Sequence, residues 1–125
     1  MKIECKRIIS YVTKEDLGDS SPWLKVNEQY VVLALVLTPK KGIGVYIQTE
    51  HYNEPCFMTL DGFEILTQNI PSNWITEIDE NKVVTLLPKS WAYNDFFEDM
   101  ENQKPEAIKL FNEEVELIYR EEGMI

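Results

Sequence analysis

The sequence predicts an α+β fold, in which a small curled antiparallel β-sheet or SH3-like barrel is followed by a β-hairpin and a C-terminal amphipathic helix. Three observations predict it: short apolar runs separated by turn residues up to about residue 70, two further extended runs, and apolar side chains at helical spacing near the C-terminus. The length of 125 residues suits a single domain over 1–125. Residues 1–70 would form its β-rich, SH3-like part, and 71–125 the hairpin, a short acidic helix and the last helix.

The first half of the chain reads as a meander of short strands. Residues 30–37 are apolar on both faces and rich in valine, which predicts a central strand covered on both sides. Asp61-Gly62 predicts a tight hairpin between two strands that are neighbours in sequence. The remaining strands predicted in this half cover residues 2–12, 45–50, 56–60 and 63–66.

Two local signals follow the start of the first strand. Its alternating pattern slips at Lys6-Arg7, as it does at a β-bulge. Thr13 is suited to cap a single helical turn, which Gly18 can close in the left-handed conformation.

The second half predicts a hairpin and two helices. Residues 74–78 and 82–87 are extended runs with turn residues between them. Asn94 is placed to cap a short acidic helix, and Pro105 suits the first position of the last helix. The apolar face of that helix would consist of Ala107, Ile108, Phe111, Val115 and Ile118.

The net charge of −10 is concentrated in the C-terminal half. Residues 1–70 carry seven bases against nine acids, for −2, whereas residues 71–125 carry five bases against thirteen acids, for −8. A field of this sign repels nucleic acids and anionic membranes and attracts cationic proteins. A solvated surface that confers solubility is the other interpretation. Two cysteines without CxxC spacing and no apolar leader indicate a cytoplasmic protein with free thiols.

The sequence contains no signature of catalysis, of a cofactor or of a metal. His51 is the only histidine, which excludes a histidine metal cluster. Gly42-Ile-Gly44 lacks the third glycine and the following helix of a phosphate-binding loop. We therefore expect a protein that is not an enzyme and holds neither a cofactor nor a metal ion.

The segment from residue 91 to residue 101 combines aromatic and acidic residues without a basic one. A short helix needs an apolar face buried against the rest of the protein, so its four aromatics are expected to anchor it: Trp91, Tyr93, Phe96 and Phe97. The carboxylates are then left to bind a partner. The predicted partner-binding residues are those of this segment and of the hairpin turn: Asp95, Glu98, Asp99, Glu101, Asp79 and Glu80.

A series of short motifs, made of turn residues and aromatics, extends from about Trp23 to the last helix. They are Val26-Asn-Glu-Gln-Tyr-Val-Val-Leu, Tyr46-Ile-Gln, Phe63-Glu-Ile, Ile70-Pro-Ser-Asn-Trp74, Leu87-Pro-Lys-Ser-Trp91, Asn94-Asp-Phe-Phe-Glu-Asp and Pro105-Glu-Ala. In this order they resemble a group of small acidic bacterial proteins, the immunity proteins of polymorphic and contact-dependent growth inhibition toxin systems. Those relatives usually read Gly-Phe-Trp-Glu-Asp where this chain has residues 94–99.

The resemblance implies a cytoplasmic antidote that binds and neutralises one cognate toxin domain, often a nuclease, by occluding its basic active-site surface. It leaves open whether the antidote plugs the active site or binds beside it. The alternative is a small SH3-like peptide- or ligand-binding module without a toxin partner, which would use sheet aromatics. Those aromatics are Trp23, Tyr30, Tyr46 and Tyr52.

Overall fold

Seven strands form one curled antiparallel sheet, and two α-helices follow them, in the computed structural model, which describes residues 1–18, 24–48 and 55–123. The predicted α+β class is confirmed. The strands are β1 (Lys2–Cys5), β2 (Gln29–Thr38), β3 (Gly42–Ile47), β4 (Cys56–Thr59), β5 (Phe63–Thr67), β6 (Trp74–Ile78) and β7 (Val84–Pro88), and the helices are α1 (Phe96–Glu101) and α2 (Pro105–Glu121). Among these residues, neither helix has the length and apolar character needed to cross a membrane.

Strand β2 is the centre of the sheet, as predicted for residues 30–37. It pairs with β3 along most of its length, with β1 near its start and with β7 near its end. Outside the order β4-β3-β2-β1-β5, strand β7 pairs with the later part of β2, and β6 pairs with β7 to form the predicted hairpin. Because β2 has neighbours on both edges and a core on both faces, every position in its middle is apolar.

A β-bulge in β2 assigns its side chains to two cores. The pairing with β3 shifts by one residue between Val32 and Ala34, so that Leu33 and Ala34 both face the core under the helices. Val32 and Leu35 face the second core, inside the curl of the sheet. The bulge interrupts the alternation of faces along the strand, so that two consecutive residues point into the same core.

The predicted meander is confirmed from β1 to β4, which are neighbours in chain order, but the tight hairpin at Asp61-Gly62 is wrong. Strand β5 pairs with β1, and β1 lies between β5 and β2. Residues Leu60–Gly62 instead form one turn of 3-10 helix. Thr59 is its N-cap, and the Thr59 hydroxyl accepts a hydrogen bond from the Asp61 N–H at 3.4 Å. This turn leads the chain away from β4, so the two strands do not meet.

Gly62 is required by a close approach to the first strand. A Cβ atom at this position would lie 2.1 Å from the carbonyl oxygen of Arg7. The Gly62 carbonyl accepts the N–H groups of both Lys6 and Arg7, at 2.9 and 3.0 Å. Two consecutive donors to one acceptor end β1 at Cys5, which is the irregularity predicted at Lys6-Arg7 and shortens the strand predicted over residues 2–12.

Two predicted helix starts differ from the structure. Residues 11–13 form a turn rather than a capped helical turn beginning at Thr13. Asn94 does not cap α1, because the Phe96 N–H that it would bind already donates to the Tyr93 carbonyl at 3.2 Å. The helix begins after Asp95, without a side-chain cap.

Helix α2 agrees with its prediction. It begins at Pro105, and Ala107, Phe111, Val115 and Ile118 are buried on one face. Ile108 is half-buried against the same core. Burial of this stripe fixes α2 over the sheet and provides the base on which α1 rests.

Candidate partner-binding surface

Trp91 anchors the segment that precedes α1. Its indole lies between two parallel rings, those of Phe96 at 5.1 Å and Phe111 at 5.3 Å between ring centroids. Its Nε1 donates a hydrogen bond to the Leu110 carbonyl at 3.1 Å. Trp91 and Phe96 are almost completely buried, which confirms that these two aromatics anchor the short helix.

The other two aromatics of the segment lie nearer the surface. Phe97 is half-buried and stacks on Tyr46 of β3. Tyr93 is 40% exposed, and its ring meets Phe96 edge-on at 5.7 Å. The anchoring role predicted for Tyr93 is therefore wrong in part, because α1 has only one side against the core and the ring lies at its margin.

Three carboxylates are exposed at the surface, two of them in α1 and one on the residue just before it. Asp95, Glu98 and Glu101 are exposed, and their spacing of three residues places them on neighbouring parts of one helix side. Within the described part of the chain, no cation lies within ion-pair distance of any of the three. With Asp99, these residues form what we call the acidic face.

Asp99 differs from the other members of the acidic face because it is bound within the chain. It accepts a hydrogen bond from the Tyr93 hydroxyl at 3.2 Å and lies 3.1 Å from the Lys104 ammonium. The hydrogen bond to Asp99, followed by the charges of Asp99, Asp95 and Glu98, raises the pKa of Lys104. One lysine thus partly compensates the charge of the acidic face.

Asp79 and Glu80 do not join the acidic face. They lie in the turn of the β6–β7 hairpin, at the opposite end of β7 from α1, which is roughly 13 Å along the strand. Asp79 Oδ1 accepts the N–H groups of Asn81 at 2.8 Å and Val83 at 3.1 Å. Its carboxylate therefore stabilises the turn, a role that its position in a turn could have suggested.

Beside the acidic face lies a cleft that the sequence did not predict. Its volume is about 250 Å³, and we call it the aromatic cleft. Burial, followed by the negative charge of Glu101, raises the pKa of the Tyr46 hydroxyl. The cleft is lined by Tyr46, Pro55, Phe57, Phe97, Met100 and Glu101.

The aromatic cleft is one end of a row of rings. Tyr46 and Phe57 are cross-strand partners in β3 and β4, 4.9 Å apart between ring centroids, and Phe57 meets Tyr11 edge-on at 4.7 Å. The ammonium groups of Lys14 and Lys41 lie 4.9 and 5.6 Å from the centre of the Tyr11 ring. The row therefore has an acidic end at α1 and a basic end at Tyr11.

Comparisons of the chain with protein-family models, curated protein sequences and solved structures found no match. Function has to be argued from the site itself, since a fold alone does not imply one. In residues 1–18, 24–48 and 55–123, no group of three or more acidic, histidine or cysteine side chains is arranged to hold a metal ion.

The structure describes two of the aromatics of the alternative peptide-binding hypothesis, Tyr30 and Tyr46. Tyr46 lines the aromatic cleft. Tyr30 meets Phe63 edge-on at 6.4 Å, and its hydroxyl accepts the Lys25 N–H at 3.0 Å. Trp23 and Tyr52 lie outside the described residues, as does His51.

Proposed function

We propose that this chain is an immunity protein, which acts in the cytoplasm, binds one cognate toxin domain and blocks a basic active-site surface on it, as in a nuclease. The observation that carries the proposal is the acidic face, in which Asp95, Glu98 and Glu101 are exposed and have no cationic partner in the described chain, on a helix anchored by two buried aromatics. The −8 of residues 71–125 and the resemblance of the short motifs support it.

The chemistry of such an inhibitor is electrostatic mimicry. A nuclease cleft presents cations for a phosphate backbone, and the carboxylates of Asp95, Glu98 and Glu101 can replace the phosphate oxygens. The buried Trp91 holds α1 in place before binding, so that little conformational freedom is lost when the partner docks. Negative charge also raises the rate of encounter with a basic surface.

The test uses the toxin-like protein encoded beside this gene. Co-expression is expected to restore growth of cells that produce the toxin domain, and the purified pair is expected to bind at low salt. Glu98→Gln/Glu101→Gln should slow association by about tenfold at low ionic strength and much less at high ionic strength. The control Glu77→Gln/Glu113→Gln removes the same charge from exposed positions outside the acidic face and should associate nearly as fast as the unmodified chain.

Two results would contradict the proposal. One is a neighbouring gene product that has no toxin activity or that does not bind at low salt. The other is binding that the two double variants weaken equally, since it would reflect net charge rather than the acidic face. Binding with little salt dependence that is lost in Tyr46→Ala would instead support the peptide-binding module, which the aromatic cleft favours.

A further inference from the structure

We infer that the aromatic cleft is the socket for a single arginine side chain of the partner. The inference rests on the proposed function for the identity of the partner, a basic protein. Its own content is more specific: one cationic side chain enters the cleft that Tyr46, Phe57 and Phe97 line and pairs with Glu101, while the remaining carboxylates act at longer range.

The size of the cleft suits one side chain. Sites for cofactors and drug-sized ligands measure about 300–1,000 Å³, whereas this cleft measures about 250 Å³. Anchor residues of protein interfaces fill small pockets of this kind near the centre of the contact, and arginine is among the residue types that contribute most to binding there.

The lining combines apolar walls with one charge. Aromatic rings and the Met100 side chain form the walls, and Glu101 is the only ionisable carboxylate that lines the cleft among the described residues. Glu101 and Tyr46 both line the cleft. A cation entering it would therefore have a carboxylate and a hydroxyl oxygen, both hydrogen-bond acceptors, among the groups that surround it.

The chain does not supply this cation from the residues that the structure describes. Lys14 and Lys41 contact Tyr11, at the far end of the row of rings. Lys104 pairs with Asp99. Glu101 is therefore left with an unmatched negative charge beside an apolar cleft, and a cation from a partner is the complementary group.

Arginine fits this environment better than lysine. Its guanidinium is planar, is weakly hydrated compared with an ammonium, packs against aromatic rings and binds a carboxylate through two parallel hydrogen bonds. A lysine ammonium is compact and strongly hydrated, so it would lose more hydration between apolar walls for fewer hydrogen bonds.

A titration with a small arginine probe tests the inference without the toxin. The probe is N-acetyl-L-arginine methylamide, and the readout is the amide chemical shifts of the ¹⁵N-labelled full chain. We expect saturable shifts at residues 46, 57, 97 and 101. The citrulline analogue has nearly the same shape but no charge, and it should produce much smaller shifts. The lysine analogue should bind more weakly than the arginine probe.

Two substitutions locate the binding. Glu101 is exposed, so the fold of Glu101→Gln should persist. This substitution should lower the affinity for the arginine probe at least about fivefold, because a charge-assisted hydrogen bond is lost. Glu113→Gln removes an equal charge from an exposed position of α2 and should leave the affinity within about twofold. Unchanged shifts elsewhere in each spectrum show that the variant is folded.

The inference is overturned by any of three outcomes: no saturation, shifts spread over all exposed carboxylates, or citrulline binding as strongly as arginine. These outcomes are separate from the fate of the proposed function. A chain that neutralises its toxin but does not bind the probe has another contact surface, whereas a chain that binds the probe but has no toxin partner has the socket without the antidote role.

Discussion

The ring of Tyr46 lies parallel to the ring of Phe97, with centroids 4.3 Å apart and planes that differ by 8°. Tyr46 belongs to β3 and Phe97 to α1, so this stack joins the sheet directly to the helix that carries the acidic face. It also forms one side of the aromatic cleft. The cleft and the acidic face should therefore keep a fixed position relative to each other.

Phe97→Ala should loosen α1 without unfolding the chain. Phe97 is half-buried, so the loss of its ring should lower the free energy of unfolding by about 2 kcal/mol. Urea unfolding would measure this change, and hydrogen exchange should accelerate at the amides of residues 98–101. Tyr46→Phe is the control because it keeps the stack and removes only the hydroxyl, with an expected change of less than about 0.5 kcal/mol. Equal effects of the two substitutions would argue against the stack as the fixing contact.

The two buried indoles Trp74 and Trp91 should respond differently to replacement by phenylalanine. Trp91 Nε1 donates to the Leu110 carbonyl, and Trp91→Phe leaves that acceptor without its partner. Trp74 Nε1 is buried with no hydrogen-bond partner in the described chain, so Trp74→Phe removes an unsatisfied donor. Thermal and urea unfolding should show Trp91→Phe to be less stable than Trp74→Phe by about 1 kcal/mol. The reverse order would show that ring packing outweighs the hydrogen bond.

Gly44→Ala and Gly42→Ala separate the shape of the cleft from general stability. A Cβ at residue 44 would lie 2.1 Å from the Phe57 ring, whereas one at residue 42 would meet nothing within 4 Å. Gly44→Ala should displace Phe57, cost about 1–3 kcal/mol and weaken the arginine probe.

Gly42 has a φ of +79°, so Gly42→Ala should cost about 1 kcal/mol through backbone strain and leave probe affinity unchanged. Urea unfolding and the probe titration measure both quantities for each variant. Loss of probe binding in Gly42→Ala, with Gly44→Ala unaffected, would contradict the role assigned to Phe57.

Stability should decline at alkaline pH. Burial raises the pKa of the Cys5 thiol above its ordinary 9.0, and burial is also the main cause that raises the pKa values of Tyr46 and Tyr119 above 10.0. Because the folded state holds these protons more tightly than the unfolded chain, the free energy of unfolding is constant with respect to these groups below their unfolded pKa values. It falls as pH rises from the unfolded pKa values through the higher folded ones.

Urea unfolding between pH 7 and pH 11 is expected to show a free energy of unfolding that falls from about pH 9 upward. Cys5→Ala, compared with the unmodified chain at each pH, should remove the earliest part of this decline. An identical pH profile for both chains would exclude the thiol as a contributor.

The parts of the fold that could be predicted are those determined by neighbouring residues. The apolar stripe of α2 recurs every three or four residues, so its helix and its buried face were evident in the sequence. The acidic segment with Asp95, Glu98 and Glu101 was also evident, because its carboxylates are close together in the sequence. Asn94 failed as a cap because the Phe96 N–H donates to the Tyr93 carbonyl in a four-residue turn, and hydrogen bonds of that detail are not visible in a pattern of residue types.

The parts that could not be predicted depend on contacts between distant residues. Nothing local to Asp61-Gly62 shows that the next strand will pair with β1, because strand pairing is set by the whole sheet. The aromatic cleft combines Tyr46, Phe57 and Phe97 from three elements, so no stretch of sequence contains it. The separation of Asp79 from the acidic face likewise follows from the direction of β7, which the hairpin pattern alone does not relate to α1.

The position of β1 between β2 and β5 has a consequence for the order of folding. Ile3 pairs with Tyr30 on one side and with Ile65 on the other, so its second neighbour emerges from the ribosome long after β1 itself. Pairings between distant residues form slowly because a long loop must close first. The nascent chain should thus acquire the β1–β2–β3 part early, and the β5 edge of β1 should stay open to chaperones until residue 67 has been synthesised.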